Sequence, residues 1–364
     1  AVLSYLNDDG TVVEPEYYVP IIPFALMNGI SGIGTGFSCS IPSYNPLTVI
    51  DYLQNRLANK SNAHIEFVPY YEGFTGKVTR IADKKFLVKG VYEKIGDDKI
   101  RIADLPIGTW TMPYITFLET LMDGTVNAKT GKRSSPSIKD FTSVCTEVAV
   151  DITVVFQRDV LGELEADVDD NGCNGVEKLL KLTTTISTTN MHMFNQDCRL
   201  HKYENVEEII DEFYGVRMKM YEKRKAYLVQ NMEQRLVRLS NRARYIQETL
   251  KGSVDLRRKT AVQVNELMTT MNFAKIDGDY KYLIKMPMDS VTDENVASIM
   301  KEKADTEHEL SVLRNTTLEQ IWTGELSTLR GHYSVYKQKR EKIQMGQGKE
   351  NQTKKVAKAL KLKK

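Results

Sequence analysis

The sequence predicts an α+β fold, in which a β-rich domain precedes a long antiparallel coiled-coil hairpin with a small helical tip. Two observations lead to it. Over residues 13–200, apolar and polar residues alternate in short runs separated by glycine and proline, which is typical of antiparallel strands. After residue 203, apolar residues recur first at helical spacing and then as a heptad stripe, which indicates long paired helices.

The composition indicates a globular protein. The chain has 364 residues and is 41% hydrophobic, which is enough for two or three domains with ordinary cores. It has no run of 18 apolar residues, so the sequence predicts no membrane-spanning helix. The first residue is Ala1 and no signal sequence follows, which we interpret as an interior start. The four cysteines form no C-x-x-C pair and favour a reducing intracellular compartment.

The first two hundred residues predict one α+β domain. Residues 1–60 are rich in proline and glycine and predict loops and short strands. The alternation from Phe67 to Ile107 predicts an antiparallel sheet, and a second β-rich stretch covers Ala149–Phe156 and Leu179–Ser187. We therefore place this domain over residues 13–200.

The second half predicts two paired helices. A long helix begins after Tyr203, and from Met232 to Leu250 its apolar residues follow the a and d positions of a coiled coil. A second stripe runs from Val296 to Leu313, with Lys303 and Thr306 at core-like positions that should soften it. The simplest arrangement is an antiparallel hairpin with a tip at residues 253–291, although two helices of an ordinary bundle also fit the spacing.

The sequence contains no recognisable catalytic or metal site. The glycines between Gly29 and Gly36 match neither nucleotide-binding pattern, because Phe37 and Ser38 stand where glycine or lysine is needed. The residues from Asp167 imitate half of a calcium loop, but Lys178 occupies the position that requires a bidentate glutamate. The five histidines show no metal-ligand spacing. We therefore predict no metal site and no catalytic residue.

Seven segments together resemble one protein family. The chain is similar to the part of eukaryotic-type (type IIA) DNA topoisomerase II that follows the catalytic tyrosine, within the DNA-binding and cleavage core. The segments stand in the same order along most of the chain: Glu14–Pro23, Asn28–Gly36, Ile41–Pro46, Tyr71–Gly76, Leu105–Thr111, Lys181–Met191 and Asn241–Ile246.

The resemblance implies a domain plan. Residues 1–12 would end a winged-helix region, 13–200 would form the tower domain, and 201–252 the ascending helix of the coiled coil. Residues 253–291 would be the dimerisation tip that forms the exit gate, or C-gate. Residues 292–345 would be the returning helices and 346–364 a basic disordered tail.

Ile33 matches the isoleucine that, in this family, wedges between base pairs and bends the duplex. Its flanking glycines suit this role, because they remove side chains that would collide with DNA. Taken alone, a buried isoleucine in a glycine turn also fits. A second segment resembles the DNA-contacting strand of the family and offers small hydroxyl donors for phosphate oxygens, although alone it fits an ordinary threonine-rich strand. It consists of Lys181, Leu182, Thr183, Thr184, Thr185, Ile186, Ser187, Thr188, Thr189 and Asn190.

The resemblance also implies the activity of the whole enzyme. Such enzymes use Mg²⁺ and ATP to relax, decatenate and unknot DNA by double-strand passage, as homodimers on double-stranded DNA and without a membrane partner. This fragment would bind and bend the duplex and form the exit gate, and would bind neither cofactor itself. The catalytic tyrosine and its arginine are expected upstream, because Tyr5, Tyr17 and Tyr18 do not follow an arginine.

Two segments depart from the cellular pattern, namely Asp167–Gly175 and Asn127–Arg133. They favour an enzyme of a large DNA virus, which would move the expected location from the nucleus to the host cytoplasm or the virion. An alternative from another class is a structural coiled-coil dimerisation scaffold without a DNA role. Sequence-specific DNA binding finds no helix-turn-helix or zinc-finger pattern.

Overall fold

The computed structural model describes residues 2–124, 136–147, 149–287 and 290–344. These residues form two compact units, one drawn from Ala1–Val19 and Gly215–Gly324 and the other from Pro20–Tyr214 and Glu325–Lys364. The stretch Asn127–Arg133 and the basic tail 346–364, which entered the sequence interpretation, lie outside the described residues.

The strands are short and every ladder between them is antiparallel. Within the described residues they are β1 (Tyr5–Asp8), β2 (Thr11–Pro15), β3 (Ile30–Ile33), β4 (Ser38–Ile41), β5 (Lys77–Ala82), β6 (Lys85–Lys89), β7 (Val91–Lys94), β8 (Lys99–Asp104), β9 (Asp140–Ser143), β10 (Ile152–Val155), β11 (Thr183–Ser187), β12 (His192–Phe194) and β13 (Leu200–Lys202).

Helices range from one turn to the 45 residues of α6. Within the described residues they are α1 (Phe24–Asn28), α2 (Pro46–Leu57), α3 (Thr111–Asp123), α4 (Val160–Ala166), α5 (Gly175–Leu179), α6 (Val206–Leu250), α7 (Ala261–Thr270), α8 (Lys281–Ile284), α9 (Asp293–Asn315) and α10 (Leu318–Gln344). The mixed α and β architecture predicted from the sequence is thus confirmed, with small sheets and one long helix.

A four-stranded sheet of order β7-β8-β10-β9 supports the largest core. Alternate residues of β8 and β10 point inwards, and Ile100, Ile102, Ile152 and Val154 are fully buried against α3, α4 and α5. On α3, the Tyr114 hydroxyl donates a hydrogen bond of 2.7 Å to the carbonyl oxygen of Leu180. This bond ties the helix to the chain just before β11.

The predicted sheet over Phe67–Ile107 is in fact divided between two sheets. Strands β5 and β6 join β11 in a three-stranded sheet of order β11-β6-β5, while β7 and β8 belong to the four-stranded one. The chain changes sheet at Gly90, where the backbone runs so close to Asp104 that a Cβ would lie 2.6 Å from its carbonyl oxygen. Alternation along the sequence records strands but not which sheet each strand joins, so it missed this division.

In the same unit, the segment before β5 is built on α2. Asn45 caps this helix by accepting a hydrogen bond from the Leu47 N–H at 2.9 Å. The buried face of α2 packs around Phe67, whose ring meets those of Tyr44 and Tyr52 at centroid distances of 6.0 and 5.6 Å. These contacts form a separate small core beside the sheets.

The other unit contains the contacts between α6 and α9. Leu239, Ala243 and Ile246 of α6 form one buried cluster with Val296 and Ile299 of α9. Ion pairs continue along the two helices: Arg235 bonds Glu302 at 2.7 Å, and Arg314 pairs with Glu233. The sequence order of these contacts is reversed between the helices. Leu250, the last residue of the predicted stripe, is exposed because α6 ends there.

The segment between α6 and α9 has a core of its own. Val254, Met268, Phe273, Tyr280 and Leu283 are buried together with Tyr245 of α6. Helix α7 begins at a capping box, in which the Thr260 side chain accepts from the Gln263 N–H and the Gln263 side chain bonds the Thr260 N–H. A private core and a firm helix start make this segment, residues 253–291, a small folded body.

Candidate nucleic-acid interface

The β3–β4 hairpin holds Ile33 away from the protein interior. Ile33 pairs with Ser38 across the hairpin, and the Gly34 N–H closes the turn by donating to the Phe37 carbonyl oxygen at 2.8 Å. The side chain of Ile33 is 94% exposed. The structure therefore places it at the end of a hairpin and not in a core, which was the alternative that the sequence left open.

The glycines around Ile33 are required for different reasons. Gly29 has φ of +69° and a Cβ there would lie 2.8 Å from the Ile41 carbonyl oxygen, while Gly36 has φ of +86°. At Gly34 a Cβ would lie 2.9 Å from the Phe37 ring. Gly32 differs, because its φ is ordinary and an added Cβ would meet nothing within 4 Å. Neither the backbone nor the surrounding protein requires glycine at position 32.

The threonine-rich segment forms β11 at the edge of the three-stranded sheet, paired with β6. Its residues are not equally accessible. Leu182 and Thr188 are buried, and the Lys181 ammonium lies 4.3 Å from the Phe117 ring centroid, a cation–π distance. The remaining residues divide into the exposed Thr185, Ser187 and Thr189 and the half-buried Thr183, Thr184, Ile186 and Asn190.

One cleft of about 520 Å³ brings the hairpin and the threonine-rich segment together. Ile33 is not among its lining residues, but its neighbours Ile30 and Ser31 are. Hydroxyl groups dominate the lining; they belong to Ser31, Ser40, Ser43, Tyr71, Thr184, Thr185, Ser187 and Thr189.

The residues that line this cleft in the described chain include no charged side chain. Burial raises the pKa of the Tyr71 hydroxyl above its ordinary value, so this group stays protonated and neutral. Hydroxyls both donate and accept hydrogen bonds. The cleft can therefore donate to phosphate oxygens without carboxylates nearby to repel them.

A junction of hydrogen bonds connects the end of the threonine-rich segment to the hairpin. The Asn190 side chain donates to the Ser38 hydroxyl at 2.8 Å and faces the His192 ring nitrogen Nδ1 at 2.8 Å. The rings of Phe37 and Phe194 meet edge to face at 6.0 Å. Sequence reasoning assigned no role to Ser38, His192 or the aromatic pair, because their partners are far away along the chain.

Sequence reasoning also missed two residues of the cleft. Tyr71 and Ile107 line it, yet in the sequence they stood out only as members of the resembling segments Tyr71–Gly76 and Leu105–Thr111. Their place in those segments was the available signal.

The loop that imitates a calcium site is held by the protein itself. Asp169 accepts hydrogen bonds from the backbone N–H groups of Asn171 and Cys173, at 3.0 and 2.8 Å. The Cys173 bond is the main reason why the pKa of Asp169 lies below its ordinary value. In the part of the chain that the structure describes, no three His, Cys, Asp or Glu side chains are grouped to hold a metal ion. Nor does any described helix have the length and apolarity to cross a membrane.

Comparison with known proteins places these features in a family. The family model for the A-type chain of DNA gyrase/topoisomerase IV matches residues 1–327. DNA topoisomerase 2 of Penicillium chrysogenum is 33% identical over 354 residues, which cover 89% of this chain and 21% of that protein. DNA topoisomerase 2 of Acanthamoeba polyphaga mimivirus is 29% identical over 385 residues, covering 89% of this chain and 30% of that protein.

A solved structure agrees with these relatives. The crystal structure of the Plasmodium falciparum topoisomerase II DNA-binding, cleavage and re-ligation domain superposes with a TM-score of 0.79 at 29% identity, over 93% of this chain and 48% of that one. The chain thus spans less than a third of the two curated relatives above. The family predicted from the sequence segments is confirmed. The chain belongs to the DNA gyrase/topoisomerase IV family, and within it to the type IIA topoisomerase II core.

Proposed function

We propose that this chain binds and bends duplex DNA as part of a type II topoisomerase, with Ile33 as the wedge. The observation that carries the proposal is the 94% exposure of Ile33 at the end of a hairpin beside a hydroxyl-lined cleft. Bending by a wedge needs an apolar side chain that is presented to a base step by a backbone able to approach the DNA. Gly32 supports such an approach, since the protein leaves the space beside it open.

The energies involved are comparable. Unstacking one base step costs a few kcal/mol. Burying an exposed isoleucine side chain regains about 1.5–3 kcal/mol. The wedge alone is therefore close to neutral, and further contacts must favour the bent state. We propose that the accessible hydroxyls of Thr184, Thr185, Ser187 and Thr189 supply them by donating to phosphate oxygens.

The buried members of the segment serve the strand itself. Leu182 and Thr188 hold β11 against the protein, and Lys181 stands beside it with its charge over Phe117. Contacts with the phosphate backbone carry no sequence information. We therefore expect DNA binding that weakens with added salt and depends little on sequence.

The other unit fits the second part of the proposal. Here α6 and α9 would form the antiparallel coiled coil, and the segment 253–291 the exit-gate tip through which two copies dimerise. The cluster of Leu239, Ala243 and Ile246 with Val296 and Ile299 supports the pairing. The separate core of the segment supports its role as a rigid contact surface. The domain plan inferred from the sequence, with a tower over residues 13–200, belongs to the same proposal.

For the whole enzyme we propose ATP- and Mg²⁺-dependent passage of one duplex through a transient break in another. No group of three His, Cys, Asp or Glu side chains in the described residues is arranged for a metal ion, so no step proposed for this chain runs through Mg²⁺ or ATP. We expect the chain by itself to form no covalent DNA adduct. The nucleus is the proposed location, or the host cytoplasm or virion for a viral enzyme. A viral source stays a prediction, with one mimivirus relative beside cellular ones.

The wedge is tested by Ile33→Ala. Because the side chain makes few contacts with the protein, folding should be unchanged, while the bend of a bound duplex should decrease strongly. The bend is measured by energy transfer between dyes at the two ends of a duplex of about 30 base pairs at saturating protein. Ile95→Ala is the matched control, since Ile95 is also exposed beside a hairpin turn but lies between β7 and β8. Equal bending by Ile33→Ala and the unchanged chain would favour the scaffold without a DNA role.

Gly32→Val tests the close approach of the backbone. Valine suits a strand and meets open space here, so the free energy of unfolding should stay the same or rise by up to about 1 kcal/mol. DNA affinity should fall about tenfold, the equivalent of about 1.4 kcal/mol. Titration of a labelled duplex measures the affinity, and Gly162→Val, another site with open space, is the control. Unchanged affinity would show that DNA does not approach Gly32.

The dimer is tested by light scattering of the 41.5 kDa chain. We expect about twice this mass for the unchanged chain and a monomer after deletion of residues 253–291. Val262→Lys, at an exposed valine of α7, should weaken the dimer without disturbing the core of the segment. Val335→Lys, at an exposed valine of α10, is its control. A dimer that persists in both the deletion and Val262→Lys would place the contact elsewhere.

A further inference from the structure

Asn190 uses all the hydrogen-bonding groups of its amide inside the protein. Its Nδ2 donates to the Ser38 hydroxyl at 2.8 Å, and its Oδ1 faces Nδ1 of His192 at 2.8 Å. Its main-chain carbonyl oxygen accepts from the Ser40 N–H at 2.8 Å. The residue was predicted as a DNA contact, but its side chain is half-buried and directed at protein partners.

The hydrogen-bond pattern fixes the orientation of the amide. An amide has one oxygen that only accepts and one nitrogen that only donates. With Nδ2 on the Ser38 hydroxyl, Oδ1 must accept, and the hydrogen therefore lies on Nδ1 of His192. The three side chains form a chain of defined direction from β4 through Asn190 to β12.

The junction lies next to the proposed wedge. Ser38 is the residue that pairs with Ile33 across the hairpin, so the hydroxyl held by Asn190 is one ladder step from the wedge. On its other side, Asn190 follows the buried Thr188 at the end of the threonine-rich segment. One side chain therefore links the wedge hairpin to the strand that carries the phosphate-directed hydroxyls, across 152 positions of sequence.

We propose that Asn190 is a positioning residue for DNA bending, which fixes the Ile33 hairpin relative to β11, and that it is not itself a DNA contact. This inference rests on the proposed function of Ile33. Its physical reason is spacing: a wedge bends the duplex only if it is rigid while neighbouring groups hold the backbone. A hairpin of two short strands is marginally stable alone. The contacts of Asn190, Ser38 and His192 provide the missing support.

The support is tested first without DNA, by hydrogen exchange of the 364-residue chain. Asn190→Ala should reduce the protection of the Gly34 N–H, which closes the hairpin turn, by about tenfold through local opening. Asn195→Ala is the matched control, because the Asn195 side chain accepts two backbone hydrogen bonds in the β12–β13 turn and contacts no hairpin residue through them. Unchanged protection in Asn190→Ala overturns the inference.

Bending is the second readout. Asn190→Ala should lose most of the bend that Ile33→Ala loses, while the affinity at low salt changes less than about threefold, because the phosphate contacts remain. The double variant should bend no less than Ile33→Ala alone, since both act through one element. Ser38→Ala removes the same hydrogen bond from the other side and should reproduce the effect, which keeps the test valid if Asn190→Ala folds poorly.

The outcomes separate this inference from the proposed function. Full bending by Asn190→Ala together with loss by Ile33→Ala overturns the positioning role and leaves the wedge in place. A fall in affinity that matches the fall in bending would make Asn190 a direct DNA contact and would also overturn the inference. Full bending by Ile33→Ala contradicts the proposed function itself, whereas the exchange experiment still reports whether Asn190 supports the hairpin.

Discussion

The exposure of Ile33 is the constraint on which the site depends. An isoleucine side chain gains about 1.5–3 kcal/mol when it leaves water, so an exposed one at the end of a short hairpin leaves stabilisation unused unless a ligand covers it. The hairpin can keep it there because the Gly34 N–H closes the turn on the Phe37 carbonyl oxygen and the Asn190 amide holds Ser38 from behind. The folding energy that presents Ile33 therefore comes from its neighbours and not from Ile33 itself.

Those neighbours depend in turn on the two sheets. Strand β11 is fixed on one edge by β6, and just before it the Tyr114 hydroxyl holds the Leu180 carbonyl oxygen from the core of the four-stranded sheet. The Gly90 N–H bonds the Leu182 carbonyl oxygen at the point where the chain passes from one sheet to the other. The hydroxyls that line the cleft thus stand on a rigid support, as positioned phosphate contacts require.

The sequence allowed the local parts of this structure to be predicted. Alternating burial in β8 and β10, the helix start near Val206 and the stripe through Leu239 and Ile246 all follow from patterns within a few residues. Ile33 and the threonine-rich segment were found through resemblance, since their composition alone fitted a core turn and an ordinary strand.

What sequence reasoning missed is non-local. No pattern links Ser38 to Asn190, or Phe37 to Phe194, because these contacts exist only when β4 and β12 lie side by side. The burial of Leu182 and Thr188 within the resembling segment has the same origin, because it depends on what packs against β11 and its ends.

The central claim is that Ile33 enters the base stack, and 2-aminopurine fluorescence tests it most directly. The fluorescent base is placed in turn at successive positions of a duplex, which is then saturated with the 364-residue chain. Because stacking quenches this base, the account predicts a rise in emission at one base step, or at two symmetric steps for a dimer, and no rise at the others. A duplex that is fully bound without a rise at any position would contradict the account.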